Sequence, residues 1–138
     1  MKINYIIGIS LISLIFADPE PQTGWDFDQT TQQSFYLFQD ITIDGDVVVG
    51  DGSGVNEGDC YTSGNCDVVG AFIDRDGVEV CVGWVYADAT VNVTTVPIMG
   101  FDPANEATAD YLNPGEVAYL KVYDDIRKLF SEQTLVSQ

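Results

Sequence analysis

The sequence contains no histidine, and it has only 5 Lys and Arg residues against 22 Asp and Glu, which gives a formal net charge of −17 at pH 7. Proteins that bind DNA or RNA neutralise phosphates with cations, so this shortage excludes nucleic acid as a partner. It also excludes attachment to anionic membrane surfaces. Without histidine the chain lacks the usual proton shuttle near neutral pH, the Ser-His and Cys-His nucleophile pairs, and His-ligated zinc.

The acidity does not predict disorder, because 46% of the residues are hydrophobic and 12% are aromatic. Such a composition supplies a hydrophobic core. A chain of 138 residues is long enough for one ordinary domain and leaves little room for a second.

Residues 1–17 read MKINYIIGISLISLIFA, with one cation, a short apolar stretch and a small residue before the polar DPEP. This is the pattern of a secretory signal peptide cleaved after Ala17, and the apolar run is too short for a comfortable membrane span. The sequence therefore predicts a secreted protein, extracellular or at the cell surface, with no membrane contact after cleavage. A retained anchor is the alternative.

Export changes the interpretation of the three cysteines, since an oxidising compartment favours a disulfide. Cys60 and Cys66 flank the short loop YTSGN, which favours a disulfide between them. Cys81 lies in the apolar segment VEVCVGW and is most simply a small buried residue. An intermolecular disulfide at Cys81, or its pairing with one of the loop cysteines, stays open.

The rest of the chain is typical of β-strands. SFYLFQDITI and VVV are separated by Asp44-Gly45, a strong hairpin signal, and a second hairpin is predicted to turn at residues 74–77. On each strand of that second hairpin, alternate residues are expected to face one core. They are Val69, Ala71 and Ile73 on the first strand and Val78, Val80, Val82 and Trp84 on the second.

Two later segments, TVNVTTVPIM and EVAYLKVYD, are also predicted strands, with Pro97 indicating an edge or strand end. The tail DIRKLFSEQTLVSQ fits either a short helix or a continued strand. Short strands with frequent turn signals predict an all-β fold: a single antiparallel β-sandwich or jelly-roll-like domain over residues 34–138, preceded by an extended N-terminal arm over residues 18–33.

Several pieces occur in order: V-G-A-F at 69–72, C-V-G at 81–83, V-P-I-M-G at 96–100 and a strand ending L-K-V-Y-D within 115–124. With them, residues 35–124 resemble a secreted β-sandwich module of bacterial extracellular and cell-surface proteins. The resemblance implies a non-catalytic extracellular role and carries no catalytic residues. The chain departs from the pattern because it lacks a later cysteine that could pair with Cys81.

Many carboxylates and amides cluster in Gly-rich turns. Asp and Asn are ordinary turn formers, so solvated turns are one interpretation. The other is calcium, the one candidate cofactor, because oxygen-rich loops suit hard cations. An EF-hand does not fit the spacing, so the site would be irregular. The calcium candidates are Asp51, Asn56, Glu57, Asp59, Asp74 and Asp76.

An enzyme is not expected. A glycosidase needs two carboxylates at a defined separation in a cleft. Glu79, Asp88 and Glu116 lie on predicted strands, but no spacing singles out a pair, and a function must be argued from a site.

Exposed tyrosines are candidates for stacking on sugars, namely Tyr36, Tyr86 and Tyr111. Trp84 is assigned to the core because of its parity. Asn92 begins the tripeptide N-V-T, a weak candidate for N-glycosylation.

The arm carries Trp25 and Phe27 in alternation with polar residues, as a half-buried strand would. It either folds back onto its own sheet or adds to the open edge of a neighbour. The second alternative, repeated head to tail, yields a filament. The sequence therefore favours a secreted structural subunit that assembles with itself. The alternative is a calcium-assisted carbohydrate-binding or adhesive module.

Overall fold

The computed structural model describes residues 18–39, 41–43, 46–47, 60, 62, 64, 66–87, 93–125 and 129–133. The predicted disulfide loop is described only in part, and the predicted signal peptide lies outside these residues. The described strands are β1 (Gln33–Phe38), β2 (Thr42–Ile43), β3 (Asp46–Val47), β4 (Val68–Arg75), β5 (Val78–Tyr86), β6 (Thr94–Met99), β7 (Tyr119–Asp124) and β8 (Leu129–Gln133).

The prediction of an all-β fold is confirmed. Every strand pair is antiparallel, and the described helical structure includes a 3-10 helix at Glu106–Thr108. The strands form a four-stranded sheet in the order β5-β4-β7-β8, a two-stranded sheet of β1 and β6, and the short hairpin of β2 and β3.

The two predicted turns both join antiparallel strands, but the first hairpin is shorter than predicted, because the segment SFYLFQDITI is divided between β1 and β2, and β1 pairs with β6. β2 pairs with β3 across residues 44–45, and β4 turns into β5 at Asp76 and Gly77. Asp76 and Gly77 have φ values of 55° and 85°, and only glycine adopts such a value without strain. The side chain of Asp74 accepts a hydrogen bond from the amide of Gly77 at 2.9 Å, which closes the turn. The ambiguous tail contains β8, which pairs with β7.

One prediction about side-chain direction is wrong. A β-bulge between Ala71 and Phe72 shifts the register, so that Trp84 pairs with Gly70 rather than sharing a face with Ala71. An extra residue in one strand reverses the parity beyond it. Trp84 is buried as expected, on the opposite face, whereas Val78 at the start of β5 is 64% exposed.

Both faces of the central strands are covered, which explains why residues 68–73 are all buried. On one face, β6 passes so close to β5 that a Cβ atom added to Gly83 would lie 1.8 Å from the carbonyl oxygen of Pro97. Gly83 is therefore required for this close approach. The other face is covered by the N-terminal arm.

The core unites residues from both sheets. From β6, Val96 and Ile98 are buried, and from β1, Tyr36 and Phe38 pack against the core with their rings edge to face. From the four-stranded sheet, Val69 and Ala71 on β4 and Leu120 on β7 are buried in the same core.

Candidate functional site

The arm begins with a turn built around one buried carboxylate. Glu20 has no exposed surface, and its Oε2 accepts hydrogen bonds from the Gln22 amide (2.9 Å), the Thr23 amide (2.6 Å) and the Thr23 hydroxyl (2.7 Å). The backbone closes the turn through the amide of Gly24, which donates to the carbonyl of Glu20. A charge this deeply buried is tolerated because local donors satisfy it. The arm is thus ordered by its own sequence.

After this turn, Trp25 packs on the four-stranded sheet. Its ring meets that of Phe72 at 5.0 Å with an interplanar angle of 76°, an edge-to-face contact. A Cβ atom added to Gly70 would lie 2.6 Å from two atoms of the Trp25 ring. Glycine at position 70 therefore leaves the space that the indole fills.

Beyond Trp25 the arm continues across the same face. Phe27 is only 8% exposed, and the amide of Asp28 donates to the hydroxyl oxygen of Tyr111 at 2.7 Å. Between them, the backbone of Asp26 hydrogen-bonds to the sulfur of Cys81. Burial, with a smaller contribution from the Asp26 carboxylate, raises the pKa of the Cys81 thiol to about 12, so the thiol is protonated and unreactive under the arm.

At the beginning of the arm, Glu20 also accepts a hydrogen bond from the Tyr86 hydroxyl at 3.3 Å. Gln22 donates from Nε2 to the carbonyl of Cys66 at 3.1 Å. Cys66 is joined to Cys60 by a disulfide, the pair that the sequence favours, with the two Cα atoms 5.3 Å apart. The disulfide loop thus supports the beginning of the arm.

These contacts define a socket for the arm on the surface of the sheet. We use the word for the five residues that meet the arm from the body of the domain: Gly70, Phe72, Cys81, Tyr86 and Tyr111. The arm lies outside any strand over residues 24–30. It meets the socket through the side chains of Glu20 and Trp25 and through its backbone at Asp26 and Asp28. The expectation that it folds back as a first strand is met only at Gln33, where β1 begins.

Both cations in the described part of the chain, Arg75 and Lys121, are used within the domain. Arg75 forms an ion pair with Glu116 at 2.6 Å and also donates to the carbonyl oxygens of residues 110 and 111. Lys121 pairs with Glu79, which also accepts from the Tyr119 hydroxyl. These contacts lower the pKa of Glu116 to about 2 and lower that of Glu79. The carboxylates considered for catalysis at positions 79 and 116 are therefore held in separate ion pairs, while Asp88 lies outside the described residues.

The prediction that three tyrosines are exposed for stacking on sugars is wrong for two of them. Tyr86 has no exposed surface and Tyr111 is 5% exposed, and both meet the arm. A ring without an exposed face offers no stacking surface, and the arm contacts both tyrosines. Tyr36 is half-buried against Phe38 and the core.

The calcium candidates are only partly placed. Asp51, Asn56, Glu57 and Asp59 lie outside the described residues, as does the glycosylation candidate Asn92. Asp74 and Asp76 form the β4–β5 turn. Over the part of the chain that the structure describes, no group of three or more Asp, Glu or Cys side chains is arranged to hold a metal ion.

Three residues of the site escape sequence reasoning: Glu20, Gly70 and Cys81. A glycine inside a strand signals the close approach of another group, so position 70 could have been found. Glu20 resembles any acidic residue of a polar arm, and nothing in the sequence places it next to Tyr86.

Comparisons with family models, with curated proteins and with solved structures give no match to this chain. The resemblance to a secreted β-sandwich module therefore stays a prediction. Among the described residues, no helix is both long and apolar enough to span a membrane.

Proposed function

We propose that the protein is a secreted, non-catalytic structural subunit that assembles with copies of itself by placing its arm, residues 18–33, in the socket of a neighbour. One observation carries the proposal: the arm is an ordered segment that meets a socket on a separate sheet without pairing as a strand over residues 18–32. For the fold we propose a β-sandwich. In it the β1–β6 sheet covers one face of the four-stranded sheet, and the arm covers the other face.

Exchange of the arm conserves the contacts between the arm and the socket. A segment that binds its own socket binds the identical socket of a second copy with the same complementarity, which is the basis of domain swapping. The balance is then set by concentration and by the repulsion between acidic chains.

The strength of the docked arm suits such an exchange. Phe27 is buried and Trp25 is partly buried, and each large side chain contributes about 1.5–3 kcal/mol when it is fully buried. A segment held by two such anchors and a few hydrogen bonds stays docked in dilute solution and still opens often enough to exchange.

The residues that connect the arm to β1 make weaker contacts. The hydroxyl of Thr30 donates to the carbonyl of Gln32, and Thr31 hydrogen-bonds to Asp102. Thr31 and Gln32 are exposed, and the Gln32 carbonyl also accepts a hydrogen bond from the Gly100 amide at 2.6 Å, so redirecting the arm costs these few hydrogen bonds. If each copy donates to the next without closing, the product is a filament; if two copies donate to each other, it is a dimer.

The deciding experiment compares three chains that begin at residue 18: wild type, Trp25→Ala, and a chain that lacks residues 18–30. Sedimentation velocity and electron microscopy at increasing concentration, with and without calcium, should show filaments or larger oligomers for the wild type. The two variants should form no filament and no larger oligomer through the arm. Val117→Ala, at a position 67% exposed and outside the arm and socket, is the control and should assemble like the wild type.

A mixing test isolates exchange. The chain without its arm offers an empty socket, and Gly70→Ala places a Cβ atom where the Trp25 ring lies, which blocks the socket and leaves the arm available. Each alone should form no oligomer through the arm, and the mixture should give heterodimers at concentrations where neither variant self-associates. Wild-type chains that stay monomeric under all conditions, or a mixture that forms no complex, would refute the proposal.

A further inference from the structure

The β1–β6 sheet is the uncharged part of a highly acidic chain. No charged residue occurs between Asp28 and Asp40 or between Asp88 and Asp102. After residue 17, these are the two longest stretches of the sequence without a charge. These two stretches contain β1 and β6, which pair with each other. The fold therefore joins the two least charged stretches of the body in one sheet.

The outer face of this sheet is also apolar. Along β1, Tyr36 and Phe38 turn towards the core, while Phe35 is 51% exposed and Leu37 is 67% exposed. Their partners on β6 are Pro97 and Thr95, which are also uncharged. Large apolar side chains on the open face of a strand are costly in water unless something covers them.

In the part of the chain that the structure describes, β1 pairs with β6 alone and leaves its second edge unpaired. Proteins usually protect such an edge with charges, proline or a bulge, and β1 contains none of these. Its sequence QSFYLF combines high β-propensity with no charge and no glycine, which favours strand pairing between chains. β6 is less suited, because it contains Pro97 and packs closely on β5 at Gly83.

We infer that the free edge of β1 binds the β1 strand of a second copy, antiparallel, to form one four-stranded sheet across two chains. The distribution of charge determines where a second copy can approach. Two chains of net charge −17 repel each other over their acidic surfaces, and this sheet is where they approach without placing carboxylates face to face. Pairing also brings Phe35 and Leu37 of one copy beside those of the other and removes part of their surface from water.

The interface is small, since one six-residue strand supplies it from each side. Interfaces well below the standard size are weak, so the dimer should form at high protein concentration or where another contact raises the local concentration. Arm exchange provides such a contact. The two interfaces lie on different sheets, so β1 pairing extends the proposed function and can be tested separately from it.

The experiment measures self-association of the exported chain, residues 18–138, by sedimentation velocity over a wide range of concentration. Leu37→Lys places two cations in the paired edge and should weaken the β1 contact by about tenfold or more, because like charges opposite each other destabilise strand pairs. The matched control is Val117→Lys, since Val117 is also 67% exposed but lies outside the sheet. It carries the same change of charge and should associate like the wild type.

Hydrogen exchange of the β1 amides gives a second measurement. Edge pairing should increase their protection with concentration in the wild type and in Val117→Lys, but not in Leu37→Lys. Trp25→Ala, which releases the arm, should leave the β1 dimer intact, so failure of arm exchange and failure of β1 pairing give different results. The inference is overturned if the wild type shows no concentration-dependent protection of β1, or if Leu37→Lys and Val117→Lys behave alike.

Discussion

The two sheets of this protein differ in how they are covered and charged. The central strands of the four-stranded sheet are covered on both faces, and the sheet contains Arg75 and Lys121, each in an ion pair with a carboxylate. The β1–β6 sheet is covered on one face, carries no charge, and exposes Phe35 and Leu37 on the other. In the proposed self-association, this difference leaves the β1–β6 sheet, and any segment that can leave the four-stranded sheet, as the points of contact between copies.

The most severe way to break this arrangement is to separate the sheets at their closest point. Gly83→Ala places a Cβ atom against the backbone carbonyl of Pro97, which no side-chain rotation can relieve. We expect a loss of about 3 kcal/mol or more in the free energy of unfolding, measured by urea denaturation. Gly77→Ala is the control: it has open space around it but a positive φ, so it should cost only about 1 kcal/mol. Equal losses would contradict the close approach.

Covered and open phenylalanines provide a second comparison. Phe27→Ala removes a ring that is 8% exposed under the arm, whereas Phe35→Ala removes one that is 51% exposed on β1. The first should lower the free energy of unfolding by about 3 kcal/mol and the second by far less. Phe27→Ala should also release the arm from Cys81, so the thiol should react faster with a maleimide or disulfide reagent. Unchanged thiol reactivity would contradict the role of the arm as a cover.

Removal of the disulfide should lower the stability less than the Phe27 replacement does, and its effect should be confined to the four-stranded sheet and the arm. Replacing Cys60 and Cys66 by alanine should cost about 2 kcal/mol, because the bond closes a short loop and constrains the unfolded chain only modestly. Since Gln22 binds the carbonyl of Cys66, the variant should also loosen the beginning of the arm. Limited proteolysis near residue 22 measures this loosening. Cys81→Ala keeps the disulfide and should leave proteolysis there unchanged.

The smallest expected effect concerns the Arg75–Glu116 ion pair. In the folded chain the pKa of Glu116 is about 2, below the ordinary value of 4.5. Glu116 therefore stabilises the fold fully above about pH 4.5, and this stabilisation is lost as the pH falls towards 2. Glu116→Gln should therefore be less stable than the wild type at pH 6 and nearly equal to it at pH 2.5, measured by urea denaturation. The exposed Glu106→Gln is the control, and the same pH dependence in both variants would contradict the assignment.

Local features of the fold follow from local sequence. The Asp-Gly turns, the alternation in β7 and the short spacing of Cys60 and Cys66 are each encoded within a few residues, and the structure contains both hairpins, the strand and the disulfide. Charge and signal-like composition likewise require no folded structure to interpret. The arm was recognisable from Trp25 and Phe27, because two large aromatic rings in a polar segment need a surface to cover them.

What covers each face was decided by tertiary structure. The bulge at Ala71/Phe72 reverses the direction of Trp84 relative to simple alternation, and no local signal in β4 announces it. Tyr86 and Tyr111 were predicted to be exposed and are buried, because the segment that covers them lies far away in the sequence. Burial and partner choice depend on contacts between distant residues, which composition and periodicity do not contain. The sequence alone therefore determined an acidic all-β chain with an arm and predicts its export. Only the packing of its strands decided that the arm has a socket and that, among the described strands, β1 pairs along one edge alone.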